Sequence, residues 1–586
     1  MLGYYLNSSY LVVKYKSENT SYKQGDDRQV YLLFPPCIDE YVEKDSPVRV
    51  IDRLVDRLDM VALGFNHTSD YEKGGRPPYD PKDMMKLYIY GYFNSIRTSR
   101  KLERECLRNI EVMWLLRKLA PDHDTIASFR KENAKAIKKA FKAVNGELAK
   151  MDLFSKTDVS IDGSKFKAVN AKDNNFTLNK LDDRLARLEQ HEEEYLRMLD
   201  ENDFGGDRQL TKEEIEHKIA VLQERKERYE AYRDRLEQTG ESQLSTTDPD
   251  ARLMKTNDGF GVAYNVQTGV DAKNHLIAGY VVTNEPTDHG QITKISKEIK
   301  EDFGSDKLEA VTDKGYQDKD DMAEALENGI VPNVIQIDGS DTVEVEFEYV
   351  GENITAETIE SNSPADIRAC LRSGQIPAMY DGVLSDPCVV EKKVYGCPEG
   401  SDDSEILKMT PEQMIAKAKE GYYVRDAARN LVYCPEGNIL RPKSVKKNGQ
   451  IRYCNKLACK NCKNKCTTSQ FKEVDFDKDI LISRCVKIWS KKRKDNPGDQ
   501  LHNRKRLVKV IKKVVYTLHL NTAKMNQRKC LSEHPFGTIK RTLNAYYFLM
   551  KSIVSVEAEM ALSCISYNLR RAMNILSVNG MMLQMA

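Results

Sequence analysis

Two aspartates stand where short apolar segments run out. Thr157-Asp-Val-Ser-Ile-Asp-Gly163 reads as an alternating strand ending in Asp162, and Leu308-Glu-Ala-Val-Thr-Asp313 as a second ending in Asp313. Gly163 follows the first aspartate directly and Gly315 follows the second by two residues. Carboxylates at adjacent strand ends can converge on a cation, while glycine lets backbone and substrate come close. Magnesium takes hard oxygen ligands and few carboxylates, leaving room in its shell for water and a substrate phosphate. Two such ions, roughly 4 Å apart, can activate an attacking oxygen and stabilise a leaving one. A third acidic group would have to come from elsewhere, normally from a helix. Strand-end aspartates are common, so the pair alone does not define a function.

A second group of residues could hold a different metal. Cys434-Pro-Glu-Gly437 precedes Cys459-Lys-Asn-Cys462 and Cys466. A Cys-x-x-Cys pair gives two thiolates to one tetrahedral zinc, and two further ligands close a structural site. Cys434 and Cys466 are the best remaining pair, with Cys454 and Cys397 as substitutes. Unpaired reduced thiols and redox use remain open alternatives. The chain has 13 cysteines, mostly scattered singly, which fits a reducing compartment better than a disulfide framework.

The elements that would position these groups can be read in order. Residues 1–46 look extended (Tyr10 to Tyr15, Val30 to Phe34) and end near Pro35-Pro36. Residues 47–150 are helix-rich, and Asp122 provides a polar cap before a short helix in a helix-turn-helix-like unit. After Asp162, Leu178, Leu181, Leu185 and Leu188, then Ile215, Ile219, Leu222, Tyr229 and Leu236, repeat at helical spacing. They predict an antiparallel helical hairpin over 177–240 with a coiled-coil seam. Strands resume with Val262, Tyr264, Val266 and Thr268 and return over Leu276 to Thr283, and a helix over Ile292 to Ile299 leads to the strand before Asp313. The expected fold is an α/β mixed sheet with helices packed against it. Two helices close the chain, one near Gly537 to Met550 and one from about Val554 to Leu576.

With 586 residues, 40% hydrophobic and 31% charged, the composition is globular and long enough for several domains. No run reaches the roughly 18 to 20 apolar residues of a membrane span. The first residues lack a signal-peptide pattern, so a cytoplasmic location is expected. Net charge is +1, but it is unevenly placed. Asp338 to Glu420 holds 18 acidic and 7 basic residues, whereas Arg441 to Arg541 holds 28 basic and 7 acidic, an excess of 28 − 7 = 21. So basic a stretch either faces a polyanion or folds against acidic surface. Phosphate contact is the favoured reading. Nine of these basic residues lie between Arg441 and Lys465, around the cysteines.

Several blocks together resemble one family. Gly75-Arg-Pro-Pro-Tyr-Asp-Pro81 and Asp122-His-Asp-Thr-Ile-Ala-Ser-Phe-Arg130 look like an N-terminal helical domain, and Asp162-Gly-Ser-Lys165 like a first catalytic block. Ser245-Thr-Thr-Asp-Pro-Asp-Ala-Arg252, Tyr264-Asn-Val-Gln267 and Val281-Val-Thr-Asn284 look like the segment between the aspartates. Thr312-Asp-Lys-Gly-Tyr316, Glu533-His-Pro-Phe-Gly-Thr-Ile-Lys540 and Ser566-Tyr-Asn-Leu-Arg570 complete the set. In this order they resemble the DDE transposases of bacterial insertion sequences, specifically the "eleven-eighty-two" group related to the IS-four and IS-five groups.

The resemblance implies an RNase H-like catalytic domain using Asp162, Asp313 and Glu533 to bind Mg2+ or Mn2+, two ions in all. It implies hydrolysis and strand transfer on double-stranded DNA, namely the element's terminal inverted repeats and target DNA. It also implies a homodimer or higher oligomer with its DNA, nucleoid-associated when bound, and no membrane. The family's lysine after its glutamate falls on Lys540. Its arginine position falls on Lys529 and its tyrosine position on Asn526, so Lys529 and Lys540 carry over as phosphate contacts and the ring is lost. Glu557 and Glu559 are rivals of Glu533. The domains expected are an extended segment 1–46, a DNA-binding helical domain 47–150, and a catalytic first part 151–337. An inserted domain follows over 338–500, acidic and then cysteine-bearing and basic, with a zinc knuckle in 430–470. The chain ends with the catalytic C-terminal part, 501–586. A nuclease without strand transfer and an inactive DNA-binding derivative are the alternative readings.

Overall fold

The computed structural model describes residues 6–7, 10–11, 37–66, 78–203, 211–239, 241, 243–256, 259–351, 354–396, 406–445, 450–464, 466–467, 469–476, 481–484 and 506–586. The expected extended segment Val30 to Phe34, the hairpin tip at 204–210, Cys397 and the side chain of Lys529 lie outside the described residues.

A single-turn helix, Met60–Leu63, and six longer ones form the N-terminal part: α1 (Pro47–Asp56), α2 (Pro81–Phe93), α3 (Ser99–Arg108), α4 (Ile110–Leu115), α5 (His123–Glu132) and α6 (Ala134–Lys150). Their starts follow from the sequence. Ser46 and Asp80 each cap a helix whose first residue is proline, which has no amide hydrogen to leave unsatisfied there. Asp122 accepts from the Thr125 amide at 2.7 Å and so begins α5.

The central sheet contains β1 (Asp158–Lys167), β2 (Gly259–Asp271), β3 (Ile277–Thr283), β4 (Leu308–Thr312) and β5 (Ile330–Val334). In space the order is β3-β2-β1-β4-β5, with a short strand, Arg252–Thr256, sharing the β3 edge of β2. The first three strands are antiparallel, and β4 and β5 run parallel to β1. It is a mixed sheet, as the alternation of strands and helices predicts. Between β1 and β2 the chain runs out into α7 (Leu178–Asp203) and back through α8 (Lys212–Thr239). Apolar burial in this hairpin concentrates at its base, where Leu181 and Leu236 pack with Phe176 and Leu244. Helices α9 (Ile292–Phe303) and α10 (Lys319–Glu327) follow β3 and β4.

Beyond β5 the acidic segment does not stand apart from the basic one. Strands β6 (Thr342–Glu348) and β7 (Leu384–Gly396) flank β8 (Arg506–His519), which returns from the basic stretch, in a three-stranded antiparallel sheet. Glu346 there pairs with Lys392 and, at 3.3 Å, with Lys513. A second sheet is built from segments between Tyr422 and Arg484 and contains the cysteine cluster.

The C-terminal helices differ from the expectation. Helix α11 (Thr522–Gly537) ends where Gly537 to Met550 was predicted to begin, and a wider π turn, Thr538–Thr542, follows it. Residues 543–552 are irregular, with Asn544 and Ser552 at positive φ, a backbone conformation no helix accommodates. The last helix, α12 (Ile553–Gln584), bends at Ser577. Its exposed first-turn amides are met from a distance: Asp250 accepts from Ile553 at 2.9 Å, and Asp248 accepts from Ser552 at 3.1 Å. The Thr-Asp-Pro-Asp block between the two catalytic candidates is thus a helix cap.

Helix α12 joins the N-terminal helices to the sheet, and one apolar core runs through all three. Asn568 donates to Asn145 Oδ1 of α6 (2.8 Å) and to the Ile277 carbonyl of β3 (2.9 Å), and accepts from the Ile277 amide (2.8 Å). Glu559, a rival for the third carboxylate, is fully buried in this junction. It pairs with Arg97 at 2.5 Å and accepts from the Leu549 and Met550 amides. Glu557 is held by Lys138 at 2.8 Å. Removing one partner of a buried, hydrogen-bonded ion pair typically costs about 3–5 kcal/mol. Glu559→Ala is therefore expected to lower unfolding stability by roughly that amount, read as a fall in urea midpoint, whereas Glu557→Gln should leave the midpoint nearly unchanged. Equal midpoints for Glu559→Ala and the parent protein would refute this structural role.

Candidate active site

Strand β1 carries its polar residues on one face. Side chains alternate across a strand, so Asp158, Ser160, Asp162 and Ser164 point one way while Val159 and Ile161 point into the apolar core. Asp162 does not close the strand as the sequence suggested. Pairing with β2 continues, Asp162 opposite Thr268 and onward to Lys167 opposite Ala263. The strand that stops is β4. It pairs with β1 only from Asp158–Glu309 to Ser160–Val311, then ends at Thr312. Two residues further on each chain come Asp162 and Asp313, just past the end of this pairing, and the same edge of β1 is taken up again at Lys167, which bridges to Tyr547.

Helix α11 lies over this polar face. Lys524 pairs with Asp158 and, at 2.8 Å, with Glu309. One turn on, Arg528 Nη1 stands 3.7 Å from Asp162 Oδ1. Within the π turn, Lys540 Nζ donates to Ser164 Oγ at 2.6 Å and to the Lys165 carbonyl at 2.8 Å, over the Phe166 ring. A row of helix cations thus meets a row of strand polar groups.

A third carboxylate, not among the sequence candidates, acts on Asp162 through its charge from the side of β1 that carries Gly163 and Lys165. Asp288, in the loop after β3, accepts from Lys165 (3.1 Å), Asn265 (2.8 Å) and Gln267 (2.7 Å). Gln267 in turn accepts from the hydroxyl of buried Tyr316, just past Asp313. Burial pushes the Asp162 carboxyl up to about 6, with Asp313 and Asp288 adding to the rise, while Arg528 and the Gly163 amide oppose it.

Glu533 does not join them. It lies five residues past Arg528 on α11 and is exposed, while Arg528 and Ser532 face inward. Arg528 is a basic residue of this helix that faces Asp162, whereas the side chain of Lys529, picked out by spacing from Glu533, lies outside the described residues. Among the described residues, no three His, Cys, Asp or Glu side chains stand close enough together to hold a metal ion. Asp288 and Arg528 left only faint traces in the sequence. Asn265 and Gln267, two polar residues on one face of an otherwise apolar strand, could have pointed to a partner such as Asp288.

Residues 36–132 match the family described as Transposase domain (DUF772). The match supports a transposase family and a transposase function for the chain. It covers α1 to α5, whose core is continuous with the sheet bearing Asp162 and Asp313. Comparison with curated proteins and with solved structures gives no match. No helix among the described residues is long and apolar enough to cross a membrane.

Gly163 fixes the closest approach in the site. A Cβ there would lie 2.5 Å from Gln267 Nε2 and 2.8 Å from Asp288 Oδ1. Gly163→Ala is expected to displace both groups and cost about 1–3 kcal/mol, seen as a lower melting temperature. Gly146→Ala, on an exposed face of α6 with nothing within 4 Å, should be neutral or stabilising. An unchanged melting temperature for Gly163→Ala would contradict the contact.

Proposed function

We propose that the chain is a DDE-type DNA transposase with an RNase H-like catalytic sheet, using Asp162, Asp313 and Glu533 to cut and rejoin phosphodiester bonds. The observation that carries this reading is the parallel β1–β4 register, which leaves Asp313, just past the end of β4, near enough to Asp162 to act on its charge. Further support comes from the strand order β3-β2-β1-β4-β5 with β2 alone running against the other four, the arrangement of an RNase H-like core, and from the N-terminal transposase-domain match.

The donor set suits a hard divalent cation. Asp162 and Asp313 offer carboxylate oxygens side by side, and the raised affinity of Asp162 for protons marks a negative site whose nearest cation, Arg528, is 3.7 Å away. Asp162, Asp313 and Glu533 would hold Mg2+ or Mn2+, with Glu533 turned in from its exposed position once DNA is bound. Bound there, such ions supply Lewis acidity at the phosphoryl oxygen and lower the pKa of an attacking water. The chain's own groups orient the substrate. Arg528, whose Nε has no partner among the described residues, can donate to a phosphate oxygen. Lys540 is held by Ser164 and the Lys165 carbonyl beside the same face. Asp288 keeps Gln267 and Lys165 in place behind the metal-binding oxygens. In the first step water attacks phosphorus and the strand breaks with a free 3′-hydroxyl; in the second that hydroxyl attacks a target phosphate and displaces another 3′-oxygen. Neither step needs a covalent link to protein. Two DNA ends must be held together, so a dimer or larger assembly on double-stranded DNA belongs to the proposal.

The test uses a plasmid carrying the gene with its natural flanks. Mg2+- or Mn2+-dependent nicking at the element ends is expected. Asp162→Ala and Asp313→Ala should reduce it by about 10³-fold or more, on the order of 4 kcal/mol of barrier, while gel-shift affinity for end DNA stays within about threefold, less than 1 kcal/mol. Joining of a precut end to target DNA distinguishes a transposase from a nuclease. A parent protein that binds DNA but neither nicks nor joins under any divalent metal would overturn the catalytic reading.

A further inference from the structure

The cysteine-bearing sheet has little apolar material with which to hold itself together. One of its clusters consists of Tyr423, Val432, Leu440, Tyr453, Val474 and Phe476, with Cys434, Ile451 and Cys466 packed against it. Units this small usually need a covalent or metal staple. Cys434 follows the strand Leu431–Tyr433 and opens a tight turn. Its amide donates to the Asn438 carbonyl at 2.9 Å, its carbonyl accepts from Gly437 at 2.8 Å, and Gly437 sits at φ +78°. The amides of Glu436 and Asn438 also point at the Cys434 sulfur.

The other three sulfurs come from a separate segment brought to the same place. Asn455 caps the short helix Lys456–Asn461 by accepting from Ala458 at 3.0 Å, and its amide donates to the Ile439 carbonyl at 2.8 Å. That bond fixes the helix beside the Cys434 turn. Cys459 lies in the helix, Cys462 ends it, and Cys466 follows with its sulfur 3.2 Å from the Tyr423 hydroxyl. Cys434, Cys459, Cys462 and Cys466 all line one small cavity, together with Tyr423, and Cys454 does not. None of the four is in a disulfide. The sulfurs are not drawn into a closed shell as they stand.

We infer that Cys434, Cys459, Cys462 and Cys466 form a structural zinc site that clamps the Lys456–Asn461 helix to the Cys434 turn. Four thiolates from two segments, one pair in Cys-x-x-Cys spacing, are the donor set of a closed tetrahedral zinc site, with no position left for substrate. Binding releases the thiol protons and adds no other reactant. Its distance in sequence from Asp162 and Asp313 makes its occupancy independent of the carboxylate chemistry.

The full-length protein, purified without chelator, is expected to carry about one zinc per chain by elemental analysis. Exchange into Co2+ should give the intense thiolate charge-transfer and d–d bands of a tetrahedral tetrathiolate site. Cys434→Ser and Cys462→Ser should lose most of the zinc, and Cys454→Ser should keep it. Should a variant fail to fold, the Co2+ spectrum of the parent protein alone decides. Less than about a fifth of an equivalent of zinc, a Co2+ spectrum without tetrahedral thiolate bands, or zinc loss in Cys454→Ser equal to that in Cys462→Ser would each overturn the assignment.

Discussion

Ser160 and Val311 lie opposite each other in a parallel strand pair, and two residues further along each strand delivers a carboxylate. Strand register is set by the buried face, so Asp162 cannot shift along its strand without dragging Val159 or Ile161 out of the core, while Asp313 caps the short turn just past the end of β4. The register brings the two negative charges near each other. Partial burial prevents water from screening them, and the affinity of Asp162 for a proton rises accordingly. Arg528, Gly163 and the Asp288–Gln267–Tyr316 chain can all be understood as responses to that proximity.

The two C-terminal helices answer different demands. Helix α12 is buried on most of its surface and holds the N-terminal helices to the sheet through apolar packing and the Arg97–Glu559 and Asn145–Asn568 contacts. Helix α11 is seated on β1 both by ions, with Lys524 and Arg528 one turn apart on Asp158 and Asp162, and by apolar packing, with Phe536 in the common core against Phe166. The pair made by Lys524 is partly exposed, and such pairs contribute little to stability and weaken with salt.

The strand pair was legible in the sequence. Asp162 and Asp313 drew attention because alternating apolar residues and a following glycine are local signals, and strand pairing acts on them directly. Asp288 could not, since a loop aspartate gains its role from Lys165, Asn265 and Gln267, which only folding brings near. Arg528 was hidden for a related reason. Spacing from Glu533 selects Lys529, but the phase of a helix against a sheet is set by packing, and here Leu531, Ser532 and Phe536 face inward with Arg528. The helix near Gly537 to Met550 was misplaced because its apolar pattern comes from a buried irregular segment, Leu543, Ala545 and Phe548, which shows no helical period of its own.

Charge illustrates how much a fold can absorb. Six acids outside the basic stretch pair with it among the described residues: Glu346, Asp182, Glu237, Asp158, Glu309 and Asp162. Its formal excess of 21 falls to 21 − 6 = 15 when these are counted. The pairs also have structural consequences, since buried Arg441 ties the cysteine-bearing sheet to both helices of the hairpin through Asp182 and Glu237. The remaining positive charge must face solvent or a polyanion, and its field fades beyond a Debye length of about 10 Å. The carboxylate site is itself negative and would repel a bare phosphate. In the transposase reading, a DNA strand is brought to Asp162 and Asp313 only if cations flanking them bind it first, which separates the groups that hold DNA from those that cut it.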